Sequence, residues 1–223
     1  FHPDWPVPQP EPNQVLIRVG ACGINNTDLN TRLGWYSKEV TTATNEEDVK
    51  DSGDWTGSGL QFPLIQGADI CGTVVAVGEN APQQLIGKRV IADTWLRNLE
   101  THGDDHQLTT DATPGYLGSE ADGGFAEYCV IHYKNVGVVE RTDLSDAELA
   151  TFSCSYTTAE GMLLRAGVKQ GDRVLITGAS GGVGSALVQL AKRRGAVTIA
   201  MASSAKHEQM AALVGPTFLL DRA

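Results

Sequence analysis

The chain has 223 residues, 41% hydrophobic and 20% charged, the composition of an ordinary globular protein with one large domain or two modest ones. Its formal charge of −10 repels a nucleic acid duplex or an anionic lipid surface, and no run reaches the roughly 18 apolar residues that span a bilayer. Neither nucleic acid nor membrane is therefore expected as a partner.

The four cysteines, Cys22, Cys71, Cys129 and Cys154, are far apart in apolar runs, as suits reduced thiols of a cytoplasmic protein and not a disulfide framework. Two polar tracts, residues 45–54 and 100–111, concentrate the acids and read as solvated loop.

In chain order the first signals are those of β structure. Residues 15–20 alternate, with Val15, Ile17 and Val19 on one face. Residues 69–78 repeat the pattern and close on the turn Gly78-Glu79-Asn80. Residues 88–92 and 124–131 supply two further strands, and short strands divided by Gly and Pro predict a barrel or sandwich up to about residue 139.

From about residue 143 the period changes. Ser145-Asp146-Ala147-Glu148 fits a capping box, in which the serine hydroxyl takes the third amide of a helix and the glutamate reaches back. A helix over 157–166 stops at Gly167. Then follow a strand over 173–177, a glycine turn over 178–184, a helix over 185–194 burying Leu187, Val188, Leu190 and Ala191, a strand over 197–201, a helix over 206–213 and a strand over 217–220. This is the first half of a doubly wound parallel sheet. The predicted domains are residues 1–139 and 140–223.

The turn, RVLITGASGGVGSALVQLAK, meets the context that a dinucleotide-binding fingerprint requires, with a strand before it and a helix after it. Gly181 allows close approach of a pyrophosphate, Gly184 lets the helix pack on the sheet, and the helix N-terminus offers amides to an anion. The second strand ends in Ala202-Ser203-Ser204-Ala205-Lys206, with no acid to bond a ribose 2′-hydroxyl. Two hydroxyls and an ammonium suit a 2′-phosphate, which favours NADPH over NADH.

The motifs ACGINNTD, FPLIQGADICGTVVAVG, DGGFAEY, CSYTTAEGMLL and GASGGVGSALVQLAK, in that order, resemble the medium-chain dehydrogenase/reductase superfamily over nearly the whole chain. The resemblance implies a GroES-like β domain followed by a Rossmann domain, with chemistry in the cleft between them. It also implies that this chain lacks segments at both ends, so that the Rossmann half is truncated after three strands, and a homodimer is expected of the full-length protein.

Zinc members of that family place a Cys where Asn25 stands, a His-Glu pair where Ala68-Asp69 stands, and a third ligand at Cys154. One thiolate cannot build a three-ligand open zinc site, and residues 93–121 contain none of the cysteines of a structural zinc lobe. GINNTD and GAD resemble the zinc-free quinone oxidoreductase branch, so no bound metal is expected. His102 and His106 are spaced to chelate a metal, but in a polar loop that nothing fixes as a helix.

The resemblance implies a catalytic set of Asn25, Thr27, Tyr36 and Asp69. The amides Asn25 and Asn26 would orient a carbonyl or quinone oxygen, Thr27 would hold the proton-relay hydroxyl position, and Tyr36 would donate a proton or stack on substrate. Asn30 stands where a relay histidine or aromatic is common, and Asp28 braces the loop. The cofactor-binding set is Cys154, Thr158, Ala179, Gly181, Gly182, Val183, Gly184, Ser203, Ser204 and Lys206. Three functions fit: a zinc-free NADPH-dependent quinone or enone reductase, an alcohol dehydrogenase with an atypical metal site at Asp69 and Cys154, and a catalytically silent NADPH-binding protein of the crystallin or adaptor kind.

Overall fold

A computed structural model describes residues 4–32, 63–96, 115–140 and 142–222. Tyr36, His102, His106 and both acidic tracts lie outside the described residues. The chain forms two compact units, residues 1–153 and 154–223.

The first unit is built on β1 (Gln14–Gly23), β2 (Asp69–Val77), β3 (Arg89–Ala92), β6 (Tyr128–His132) and β7 (Val136–Val138). They form a five-stranded sheet in the order β6-β1-β2-β3-β7, antiparallel at every pairing. The two-residue strands β4 (Trp95–Leu96) and β5 (Gly115–Tyr116) pair separately, with Trp95 edge-on to Tyr116. Val15 and Ile17 are buried with Ile70, Val74, Val90 and Ile131, but the expected alternation is incomplete: Leu16 is buried as well and Val19 is half-buried, with the register against β2 shifting between Leu16 and Ile17.

Strand β1 contains irregularities that shape the unit. Its register against β2 slips between Val19 and Ala21, leaving Gly20 as the extra residue of a bulge. A Cβ at Gly20 would lie 2.0 Å from the Asp146 carboxylate, so the glycine makes room for the helix α2 (Asp146–Ala150) to dock on the sheet. Leu149 and Ala150 of that helix pack with Cys71, Ala21 and Ile91. The Arg89 guanidinium ties the helix down through its Nε to Asp146 at 2.6 Å and through a second nitrogen to the Leu144 carbonyl at 2.9 Å. The predicted capping box is present, with Ser145 accepting from the Glu148 amide and Glu148 accepting from the Ser145 amide. Helix α2 thus packs with the first unit, whereas the change of sequence period had placed the border near residue 140.

In the second unit, β8 (Arg173–Ile176), β9 (Val197–Ala202) and β10 (Phe218–Asp221) form a parallel sheet ordered β10-β9-β8. Parallel strands need crossovers, and α4 (Gly182–Arg193) and α5 (His207–Leu213) supply them. Helix α3 (Ser153–Arg165) precedes the first strand and packs Ala159 and Leu163 into the same core. Leu187, Val188 and Ala191 are buried against Ile176, Ala200 and Ala202, while Leu190 is half-buried at the edge of that core. The strand-helix-strand-helix-strand expectation is met, with α4 starting three residues earlier than its periodicity indicated. Among the described residues no helix is long and apolar enough to cross a membrane.

Gly72 is the tightest point of the central pairing: an added Cβ would sit 2.3 Å from the Arg18 carbonyl oxygen. Backbone cannot yield as a side chain tip can, so Gly72→Ala should destabilise the first unit by about 1–3 kcal/mol, read as a lower urea midpoint with an unchanged slope. An unshifted midpoint would show that β1 and β2 separate without cost.

Candidate functional site

Two loci carry the predicted residues, one in each unit. The first arises because antiparallel β1 and β2 end together, with Gly23 opposite Asp69. The chain leaves β1 through exposed Ile24 and turns at Asn25 into α1 (Asn26–Arg32). This brings the Asn25 side-chain amide within 3.3 Å of Asp69, whose carboxylate is 3% exposed. A carboxylate only accepts, so the amide nitrogen faces it and the orientation of Asn25 is set.

Asp28 fixes the turn from the other side. Its carboxylate accepts from the Asn25 backbone amide at 2.8 Å, and its backbone carbonyl accepts from the Gln66 side chain at 2.9 Å. The bracing role expected for Asp28 is what its contacts show. Burial pushes its pKa above the ordinary carboxylate value, opposed by backbone donors from Asn25 and Gly67. Thr27 is buried on α1, and Asn30 is half-buried there. Asn26 is exposed, so the turn sets one amide and not a pair against Asp69.

Among the described residues, the side chains gathered at this locus are not the Cys and His that the resemblance gives to zinc members. Asn25 is an amide already bonded to Asp69, Ala68 is a buried methyl, and Asp69 is the carboxylate that orients the amide. The neighbouring Cys22 thiol is pushed up to about 12, first by burial and then by the charges of Asp28 and Asp69. Burial and these charges favour its protonated form near neutral pH. Cys154, at the start of α3, belongs to the second unit and is 8% exposed.

The second locus is the edge at which parallel β8, β9 and β10 all end. After β8 the chain turns through Gly178, whose φ of +59° lies in the region glycine favours. Ala179 is fully buried. Gly181 is the N-cap of α4 and offers no side chain to its first amides, those of Gly182, Val183 and Gly184. Cβ atoms here would fill the turn: one at Gly184 would meet the Gly178 carbonyl at 2.3 Å, and one at Gly182 the Ser155 hydroxyl at 2.7 Å. Uncapped amides, a helix dipole and a backbone stripped of side chains fit a dinucleotide pyrophosphate.

The loop after β9 reaches back to this turn. Lys206 Nζ is 3.4 Å from the Ser180 hydroxyl, with Ser203 half-buried and Ser204 exposed beside it. Thr158 is exposed on α3.

Sequence reasoning missed three residues at this edge. The Ser204 amide donates to Asp221 Oδ1 at 2.8 Å. The His207 ring nitrogen lies 3.1 Å from the Ala202 carbonyl and 3.2 Å from that of Leu220, bridging two strand ends. Ser180 meets Lys206. The signal for Asp221 was available, because in a parallel sheet every strand ends on one edge and Asp221 is the residue after the predicted third strand.

A profile of the alcohol dehydrogenase GroES-like domain matches residues 11–141. The chain is 29% identical over 201 residues to an NAD-dependent alcohol dehydrogenase of Sulfurisphaera tokodaii, covering 88% of this chain and 53% of that protein. It is 30% identical over 216 residues to a 2-methylene-furan-3-one reductase of Solanum lycopersicum, covering 96% of this chain and 46% of that enzyme. Among solved structures, a provisionally named alcohol dehydrogenase of Sinorhizobium meliloti 1021 superposes with a TM-score of 0.79 at 45% identity, covering 98% of this chain and 56% of that one. The chain spans about half the length of the curated relatives it matches.

The raised pKa of the Cys22 thiol has a direct readout. With a value of about 12 its thiolate is about one molecule in 10⁴ at pH 8, so Cys22 should resist iodoacetamide in the native chain and react once urea unfolds it. Rapid native labelling, located by peptide mass spectrometry, would contradict the burial described here.

Proposed function

This chain belongs to the medium-chain dehydrogenase/reductase superfamily, and from that membership we propose that its protein is an NADPH-dependent oxidoreductase that reduces a quinone or an α,β-unsaturated carbonyl without a catalytic zinc. The observation that carries the reading is the Asn25–Asp69 pair, an amide held by a carboxylate where zinc members of the superfamily keep metal ligands. The nicotinamide, when bound, supplies the hydride. The chain's own residues hold the cofactor and orient the oxygen of the substrate.

An amide nitrogen carries two hydrogens. With one committed to Asp69, Asn25 keeps a second N–H that can donate to a substrate oxygen and meet the charge developing there. Such a donor is weaker than a metal, and it suits acceptors that an extended π-system already activates. The name of the tomato relative, a reductase of a methylene-furanone, describes a substrate of that kind.

On the cofactor side, the uncapped amides of α4 would take the pyrophosphate, and Ser203, Ser204 and Lys206 the 2′-phosphate. Thr27, Tyr36 and Thr158 complete the proposed set as polar groups for substrate and nicotinamide. A soluble homodimer in the cytoplasm is the setting proposed for the whole protein.

A second reading, an alcohol dehydrogenase using NAD, draws on the names of the archaeal relatives. The donor chemistry around Asn25 is what weighs against it.

Two measurements test the first reading. Steady-state oxidation of NADPH should proceed with an ortho-quinone or an enone, and Asn25→Ala should lower kcat/KM by about 10²-fold, the scale of losing one oriented donor to a developing oxyanion. Turnover of primary or secondary alcohols, together with stoichiometric zinc that is lost on Cys154→Ala, would establish the second reading instead.

Cofactor choice has its own test. Lys206→Ala should weaken NADPH by roughly tenfold while leaving NADH nearly unchanged, since a charge-assisted bond to phosphate contributes on that scale. Equal losses for the two cofactors in titration calorimetry would remove Lys206 from phosphate recognition.

A further inference from the structure

The phosphate-reading loop is not held by its own strand. Its Ser204 amide donates to Asp221 Oδ1 at 2.8 Å, and Asp221 comes from the end of β10, where it pairs in register with Ala202 at the end of β9. The loop therefore lies between a carboxylate on one side and, through the Lys206–Ser180 contact, the glycine turn on the other. His207 bridges the Ala202 and Leu220 carbonyls at the base of the same corner. The acid missing from the end of the second strand is supplied to that place by the third.

We propose that Asp221 is a specificity-determining residue for the cofactor: it positions the Ser203–Lys206 loop through the Ser204 amide, and its charge opposes a 2′-phosphate bound there. The inference rests on the reading of this edge as the dinucleotide site. A phosphate that accepted from the Ser204 hydroxyl would lie close to the carboxylate bonded to that residue's own amide. Like charges that close at a surface repel enough to change affinity severalfold, and salt screens the effect. NADH, which has no phosphate at that carbon, escapes the repulsion. Asp221 and Lys206 then act in opposition, and the chain's discrimination between the cofactors is smaller than Lys206 alone would give.

Charge and anchoring separate by substitution. Asp221→Asn keeps an oxygen to accept from the Ser204 amide and removes the charge, whereas Asp221→Glu keeps the charge on a longer arm. Dissociation constants for NADPH and NADH, measured by titration calorimetry on the full chain at low and at 0.5 M salt, read both. Asp221→Asn should tighten NADPH by about threefold or more at low salt with NADH within twofold of wild type, and the gain should shrink at high salt. Asp221→Glu should keep an NADPH-to-NADH ratio near that of wild type.

If Asp221→Asn shifts both cofactors equally or leaves NADPH unchanged, or if Asp221→Glu mimics Asp221→Asn, the charge does not discriminate and the proposal is overturned. A wild-type chain that binds neither cofactor overturns the dinucleotide reading itself, an outcome distinct from the other two.

Discussion

The antiparallel register of β1 and β2 is the constraint from which the first locus follows. Because Gly23 stands opposite Asp69, the turn that leaves β1 must begin beside the carboxylate that opens β2. Glycine at position 23 keeps that approach close, since even a Cβ there would lie 3.0 Å from the Asp69 Cβ. The Asn25 amide is thus placed by the sheet, and Asp28, accepting from the Asn25 backbone, keeps the turn from opening. A slip of one residue would carry Asp69 to the opposite face and dismantle the pair, while exposing the apolar face of β1. Stability and site geometry are therefore set by the same pairing.

The second locus follows from parallelism in the same way. Three parallel strands end on one edge, so the Gly178–Gly184 turn, the Ser203–Lys206 loop and Asp221 converge although they are separated in sequence. The glycines act by what they leave out. Gly184 lets α4 close on the turn carbonyl of Gly178, and a side chain at Gly182 would fill the space taken by the Ser155 hydroxyl.

What could be read from the sequence was what is local. The inward face of Val15 and Ile17, the Ser145–Glu148 capping box and the spacing of Leu187, Val188 and Ala191 each express a rule that operates within a few residues, and each of these residues is buried or bonded as expected, although Leu16 is buried too. Helix α3 begins at Ser153, ahead of the expected start, because Thr and Ser side chains that argue against a helix interior are overridden by the burial of Cys154 and Ala159. The strand expected over 124–131 shortens to Tyr128–His132, since Gly124 is pressed against Ile70 and bonds to the Gly67 carbonyl instead of a sheet partner. Strands β4 and β5, two residues each, are too short to show a period. At the sites, the residue types at Asn25 and Gly181–Gly184 were legible. The bonds that orient Asn25 and the Ser203–Lys206 loop, from Asp69 and Asp221, cross between strands and have no linear signature.

The two loci also differ in how they treat charge. The turn at Asn25 gathers Asp28, Asp69 and Cys22 in one partly buried neighbourhood, where burial first and the two carboxylates second hold the thiol protonated. A formal negative charge arriving there would be opposed at short range, which is why a neutral amide dipole is the group that can meet a partial charge on oxygen without adding another full charge. The edge of the parallel sheet does the reverse. Its uncapped amides at α4 bring partial positive charge without a titratable group, while Lys206 contacts Ser180 of the glycine turn and Asp221 accepts from the Ser204 amide. An anion binding there, as proposed, would depend on short-range hydrogen bonds, because a chain of formal charge −10 offers no long-range attraction for a phosphate. The glycine turn must therefore be shaped before the ligand arrives, and the φ of Gly178 and the tight seat of Gly184 provide that shape.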